Sequence, residues 1–172
     1  MEDDESISVH VPSFARGLNL LLIDDTASSL LYLSLLLEQY TFKVTAIEEV
    51  SMAKSIICNH EGYFRLVMVK LNMLGKDVFS FLDFFHEKDI PVVFISSGGL
   101  EDVIWKALAK GLCYFFEEPI LFEDLKYLWK HAYHSKHRST KEAQYANKAA
   151  GENEETKIDN DDQAKREKSV EL

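Results

Sequence analysis

Asp24 and Asp25 stand together at the end of an apolar run, Leu18–Ile23, in the stretch LNLLLIDD. Adjacent carboxylates at such a position can hold a hard cation through their oxygens, or be neutralised by a lysine. Buried without a partner, they are costly. Three more polar residues follow apolar runs in the same manner: Lys70 after RLVMV, Ser96 after IPVVFI, and Glu118 after CYFFE. Carboxylates, an ammonium and a hydroxyl brought to one place could bind or transfer a charged group. Whether they meet depends on the elements that carry them.

Five short runs rich in apolar or β-branched residues read as strands: Leu18–Ile23, Phe42–Ile47, Arg65–Val69, Ile90–Ile95 and Cys113–Phe116. Arg65–Val69 is apolar after its first residue, as expected of a strand covered on both faces. Pro91 cannot donate to a ladder and belongs near the start of its strand. Between the strands lie segments of helical spacing: Ser28–Tyr40, Ser51–Asn59, Asp77–Glu87, Glu101–Lys110 and finally Phe122–His134. Gly111 suits the residue just past a helix end. Phe79, Leu82 and Phe85 form one stripe of the Phe-rich helix, which reads as core, with surplus aromatics that could face a partner. Strict alternation of strand and helix implies an α/β fold, a parallel sheet with helices on both faces. Sites in such sheets lie at the carboxyl ends of the strands, where the strand order switches. That rule gathers Asp24, Asp25, Lys70, Ser96 and Glu118 at one end.

The chain has 172 residues, 47% of them hydrophobic, which suits one domain with tails. A net charge of −10 argues against a general binder of nucleic acid or anionic membranes. No run approaches the ~18 apolar residues that a membrane span needs. The acidic start, MEDDESIS, lacks the order of a secretory signal. Cys58 and Cys113 form no CxxC and no metal spacing, so they read as reduced, small core residues of an intracellular protein. Residues 1–16 read as a flexible lead-in, 17–135 as the folded domain and 136–172 as a charged, disordered tail. The loop Ser96–Gly99 lacks the spacing and lysine of a phosphate-cradling motif. His131, His134 and His137 read as a solvated helix end rather than metal ligands. The basic stretch Lys130–Lys141 is either a weak nuclear-import signal or a solvated helix end.

Over about residues 18–135 the order and spacing resemble a response-regulator receiver domain, most closely those of plants. The pieces LVMVKLNM, PVVFISSGG, GLCYFFEEPI and LKYLWKHAYHSKH carry the resemblance. It implies a flavodoxin-like (βα)5 fold. In that family the acidic pair binds Mg²⁺ together with a phosphate-accepting aspartate after the third strand. A hydroxyl after the fourth strand, and a lysine before a proline after the fifth, contact the phosphoryl group.

By resemblance Asp24 and Asp25 match the acidic pair, Ser96 the hydroxyl, Phe115 an aromatic switch position and Pro119 the proline, with a cis Glu118–Pro119 bond. The chain departs from the pattern at the acceptor, where Lys70 stands, and at the lysine, where Glu118 stands. Leu74 replaces a usual proline. A lysine cannot form an acyl phosphate, and its ammonium repels Mg²⁺. The expectation is a degenerate receiver, or pseudo-receiver, with no cofactor and no metal, in which Lys70 reaches Asp24, Asp25 and Glu118. By resemblance such a protein is expected in the nucleus, with the cytoplasm as a further location, in a plant phosphorelay (cytokinin signalling) or in circadian and transcriptional regulation. It would bind other receivers or histidine phosphotransfer proteins through about residues 101–134, without direct contact to nucleic acid or membrane. Two rival readings are an active receiver with Asp77 or Ser96 as acceptor, and an unrelated flavodoxin-like nucleotide binder. The second lacks its glycine-rich first loop, since DDTASS follows the first strand.

Overall fold

The apolar runs become five strands: β1 (Asn19–Ile23), β2 (Lys43–Ile47), β3 (Leu66–Lys70), β4 (Val92–Ser96) and β5 (Tyr114–Glu117). In the computed structural model they pair in parallel throughout, in the order β2-β1-β3-β4-β5. Four helices connect them: α1 (Ala27–Gln39), α2 (Ser51–Asn59), α3 (Val78–Glu87) and α4 (Glu101–Ala109). A last helix, α5, covers residues 128–133. The structure describes residues 10–133. The predicted tail, with His134, His137 and most of the basic stretch, lies outside the described residues.

Side-chain alternation divides the sheet between two cores. Leu20, Leu22, Met68, Val93 and Ile95 pack with Leu30, Leu33 and Leu37 of α1 and with Leu125, Leu128 and Ala132 around α5. Leu21, Ile23, Val67, Val69 and Phe94 pack with Ala53 and Ile57 of α2, Phe81 and Phe85 of α3, and Ile104 of α4. The sheet is therefore doubly wound, with α1 and α5 on one face and α2, α3 and α4 on the other. The three central strands carry almost no polar side chain because helices cover both of their faces. Leu22 has no exposure, and truncating such a side chain to Ala costs about 2–5 kcal/mol.

The local punctuation follows the residue types. Gly111 follows α4 at a φ of 102°, a conformation that glycine adopts without strain. Its N–H donates to Leu108 and that of Leu112 to Ala107, which closes the helix end. Pro91 sits immediately before β4, and its carbonyl accepts the N–H of Val67.

Four expectations need correction. Lys70 and Ser96 are the last residues of β3 and β4, not loop residues beyond them. The final helix does not begin at Phe122. Phe122–Leu125 is a 3-10 turn, and the α-helix starts only at residue 128, after two turn residues. Asp124 shapes this start by accepting the N–H of Leu121 at 2.8 Å. The cysteines are not core: Cys58 is exposed at the end of α2 and Cys113 is half-buried beside β5. The lead-in is not free along its whole length. Val11 and Ala15 are buried in the α1/α5 core, and Phe14 meets Trp129 and Tyr133 at 5.9 and 4.7 Å between ring centroids. Apolar residues so near the start had no periodic partner to reveal this role.

Candidate functional site

The strand order reverses between β1 and β3, so the chain leaves these neighbours in opposite directions. Their last paired residues are Ile23 and Val69. The next residue along each strand is Asp24 and Lys70. Neighbouring strands lie ~4.8 Å apart, which puts this carboxylate and this ammonium side by side. Lys70 Nζ is 3.9 Å from Asp24 Oδ1 and 3.7 Å from Asp25 Oδ1. These are ion-pair separations, longer than the ~2.8 Å of a charge-assisted hydrogen bond.

The three groups differ in solvation. The Asp24 side chain is fully buried, Lys70 keeps 16% of its exposure and Asp25 keeps 60%. Asp24 Oδ1 accepts the N–H of Thr26 at 2.9 Å, and that turn leads the chain from β1 into α1. Its Oδ2 is buried with no hydrogen-bond partner among the described residues. Burial pushes the Asp24 carboxyl above the usual carboxylate range. The Thr26 N–H and the Lys70 charge oppose this, while the neighbouring Asp25 carboxylate reinforces it, and burial wins. Unit charges about 4 Å apart attract by about 4 kcal/mol at an effective dielectric of ~20. Desolvating a buried ion costs a comparable several kcal/mol. The pair therefore balances charge more than it adds net stability.

The other residues of the predicted set are placed differently. Ser96 is fully buried, and its Oγ accepts the N–H of Gly98 at 3.1 Å. Its carbonyl accepts the N–H of Glu118 at 2.8 Å, which ties the ends of β4 and β5 together. Phe115 is half-buried on the α3/α4 side, in register with Phe94. The Glu118–Pro119 bond is cis, as the resemblance implied. Glu118 forms no ion pair with Lys70, and here the expectation fails. The reason is topological. β4 lies between β3 and β5, so Glu118 starts two strand spacings, roughly 10 Å, from Lys70. Lys70 therefore pairs with two carboxylates, Asp24 and Asp25. Asp77 is exposed at the N-cap of α3, as the last residue of the second of two 3-10 turns that follow β3.

Two tyrosines went unnoticed in the sequence. Tyr32 of α1 donates to the carbonyl of Ile120 at 2.9 Å, and Tyr40 at its C-cap donates to that of Phe122 at 2.7 Å. Tyr40 also stacks on Phe122, with ring centroids 4.6 Å apart. Together they fasten α1 to the segment after Pro119. The available signal was chemical: a tyrosine on a leucine-rich helix needs a partner for its hydroxyl. The partner is 82 residues away in sequence for Tyr40, so spacing did not point to it.

A divalent cation does not suit these donors. Mg²⁺ takes near-octahedral oxygen ligands. Here two carboxylates face an ammonium, and no group of three or more His, Cys, Asp or Glu residues able to hold a metal occurs among the described residues. No helix among them is long and apolar enough to cross a membrane.

No protein-family model matches the chain. Individual proteins do. The two-component response regulator-like protein APRR4 of Arabidopsis thaliana is 32% identical over 142 residues, covering 81% of this chain and 49% of that protein. The two-component response regulator ARR14 of the same plant is 29% identical over 120 residues, covering 69% and 31%. The two-component response regulator ORR26 of Oryza sativa subsp. japonica is 28% identical over 131 residues, covering 76% and 22%. The chain thus spans about half or less of the length of these curated relatives. Among solved structures, a response regulator receiver domain protein from Clostridium thermocellum superposes with a TM-score of 0.62 at 20% identity, covering 69% of this chain and 96% of that one. The beryllofluoride-activated NtrC4 receiver domain dimer gives 0.59 at 28% identity, covering 66% and 94%.

The fold is that of a response-regulator receiver domain, a flavodoxin-like α/β module. The chain's homologues are plant two-component response regulators, response-regulator-like proteins among them. Receivers are in general signalling modules rather than enzymes, and they work through protein partners.

Proposed function

We propose that this protein is a pseudo-receiver, a module that keeps the receiver fold but does not accept a phosphoryl group. The observation that carries the reading is the Lys70 ammonium, 3.9 and 3.7 Å from Asp24 and Asp25 at the end of β3. By resemblance, that strand end is where an aspartate nucleophile would stand. A protonated amine held against carboxylates is no nucleophile. It also supplies the positive charge that a metal would otherwise bring. Glu118, at the position of the phosphate-binding lysine, would repel a transferred phosphoryl group.

On this reading the protein acts by docking, as a competitor or scaffold in a plant phosphorelay or in transcriptional or circadian regulation, within the nucleus. Its partners are other receiver domains or histidine phosphotransfer proteins, bound through α4, β5 and α5. Exposed aromatics lie on these elements: Trp105 on α4, Tyr114 on β5 and Tyr127 just before α5.

The test is incubation with Mg²⁺ and acetyl phosphate, or with a phosphorylated phosphotransfer protein, followed by intact mass measurement. The native chain should show no phosphoryl adduct. Modification of Asp77, Ser96 or any other residue would instead establish an active receiver with an unusual acceptor. In the double variant Lys70→Asp with Glu118→Lys, Mg²⁺-dependent modification of Asp at position 70 is expected.

A further inference from the structure

Far from the acidic site, at the opposite end of the sheet, a thiol meets an imidazole. Cys113 directly precedes β5, and its N–H donates to the carbonyl of Val92 at 3.1 Å, which fixes its backbone against the start of β4. Its Sγ lies 3.1 Å from Nδ1 of His131 on α5. The imidazole is held in place: its ring stacks on Tyr114 with centroids 5.1 Å apart and planes 26° apart. Both residues are half-buried, so the thiol is neither sealed in the core nor free to turn away. A histidine that can take the thiol proton, and then sit beside the sulfur as imidazolium, raises the thiolate fraction and the nucleophilicity of a cysteine.

We propose that Cys113 is a reactive, oxidisable thiol with His131 as its base, and that hydroperoxides are the class of molecule it reacts with. The proton passes from Sγ to Nδ1. The thiolate attacks one peroxide oxygen, an S–O bond forms and the O–O bond breaks. The departing oxygen takes the proton from His131 and leaves as water or an alcohol. Sulfur is oxidised by two electrons to a sulfenic acid and the peroxide is reduced by two. One thiol condenses with the sulfenic acid to a mixed disulfide with loss of water, and a second thiol reduces that disulfide and restores the cysteine. Oxidation adds a polar atom at the start of the edge strand β5, against His131 of α5. The proposal does not depend on how the acidic site is read.

Cys58 provides an internal reference, since it is exposed and has no histidine against its sulfur among the described residues. The full-length protein is treated with hydrogen peroxide in the presence of dimedone at neutral pH, and both cysteine peptides are quantified by mass spectrometry. Cys113 should be trapped about tenfold faster than Cys58 despite its lesser exposure, because a base against its sulfur takes up the thiol proton. His131→Gln should remove that advantage and leave the Cys58 rate unchanged. Faster trapping of Cys58 in the native protein would overturn the proposal, and so would a ratio unchanged in His131→Gln. Should that variant not fold, the native ratio decides, together with Tyr114→Leu, which removes the ring stacked on the imidazole and should lower the ratio.

Discussion

Lys70 and Asp24 make opposite contributions to stability. Removing the ammonium leaves Asp24 fully buried with only the Thr26 N–H against its charge. Lys70→Ala should cost about 2–3 kcal/mol at neutral pH, less than the roughly 3–5 kcal/mol of breaking a fully buried pair because Lys70 and Asp25 keep contact with water. Urea unfolding measures this, and the deficit should shrink in acid as Asp24 takes up a proton. Asp24→Asn should do the reverse. The folded-state pKa of Asp24 is raised above its ordinary 3.8, so its protonated form favours folding. Its contribution is fully present below 3.8 and is lost as pH rises through the raised value. Asp24→Asn should therefore melt higher than the native chain at pH 7 and equal to it at the acid end of a melting-temperature series. A lower melting temperature at pH 7 would show that Lys70 over-compensates the burial of this carboxylate.

At the scale of elements, the site rests on how α1 and the segment after β5 are joined. The sheet brings β1 and β3 together but leaves Glu118 two strands from Lys70. What secures the segment after Pro119 is the pair Tyr32 and Tyr40. Tyr40→Phe keeps the stack on Phe122 and removes only the hydroxyl. It should destabilise by about 1 kcal/mol, the net worth of a single hydrogen bond, plus the penalty of leaving the Phe122 carbonyl without that donor. Chemical denaturation measures the loss. Hydrogen exchange should place the loosening after Pro119 and leave α2 and α3 unchanged.

Among the described residues Trp105, Tyr114 and Tyr127 are exposed on the proposed docking face, while Phe14, Tyr32 and Tyr63 are exposed elsewhere. Trp105 is 68% exposed on α4, while its neighbours Ile104 and Ala107 are buried in the core. Trp105→Ser should change stability by no more than about 0.5 kcal/mol, as for a surface position. It should weaken binding to a phosphotransfer protein or a second receiver, as read by calorimetry. Undiminished affinity in the variant would move the docking surface away from α4.

The alternation of apolar runs and helical stripes determined the fold class, because strands covered on both faces need a parallel sheet with helices on each side. The Asp24–Asp25 pair, Lys70 and the Glu118–Pro119 turn were legible from their places just after those runs. Register and strand order were not, since they are set by pairing between distant residues. Only the tertiary structure placed Asp24 beside Lys70, kept Glu118 apart from both, and left Asp24 Oδ2 without a hydrogen-bond partner. The same holds for Cys113. In the sequence it was a small residue beside a strand, and it gained a base only when α5 folded back to set His131 against its sulfur.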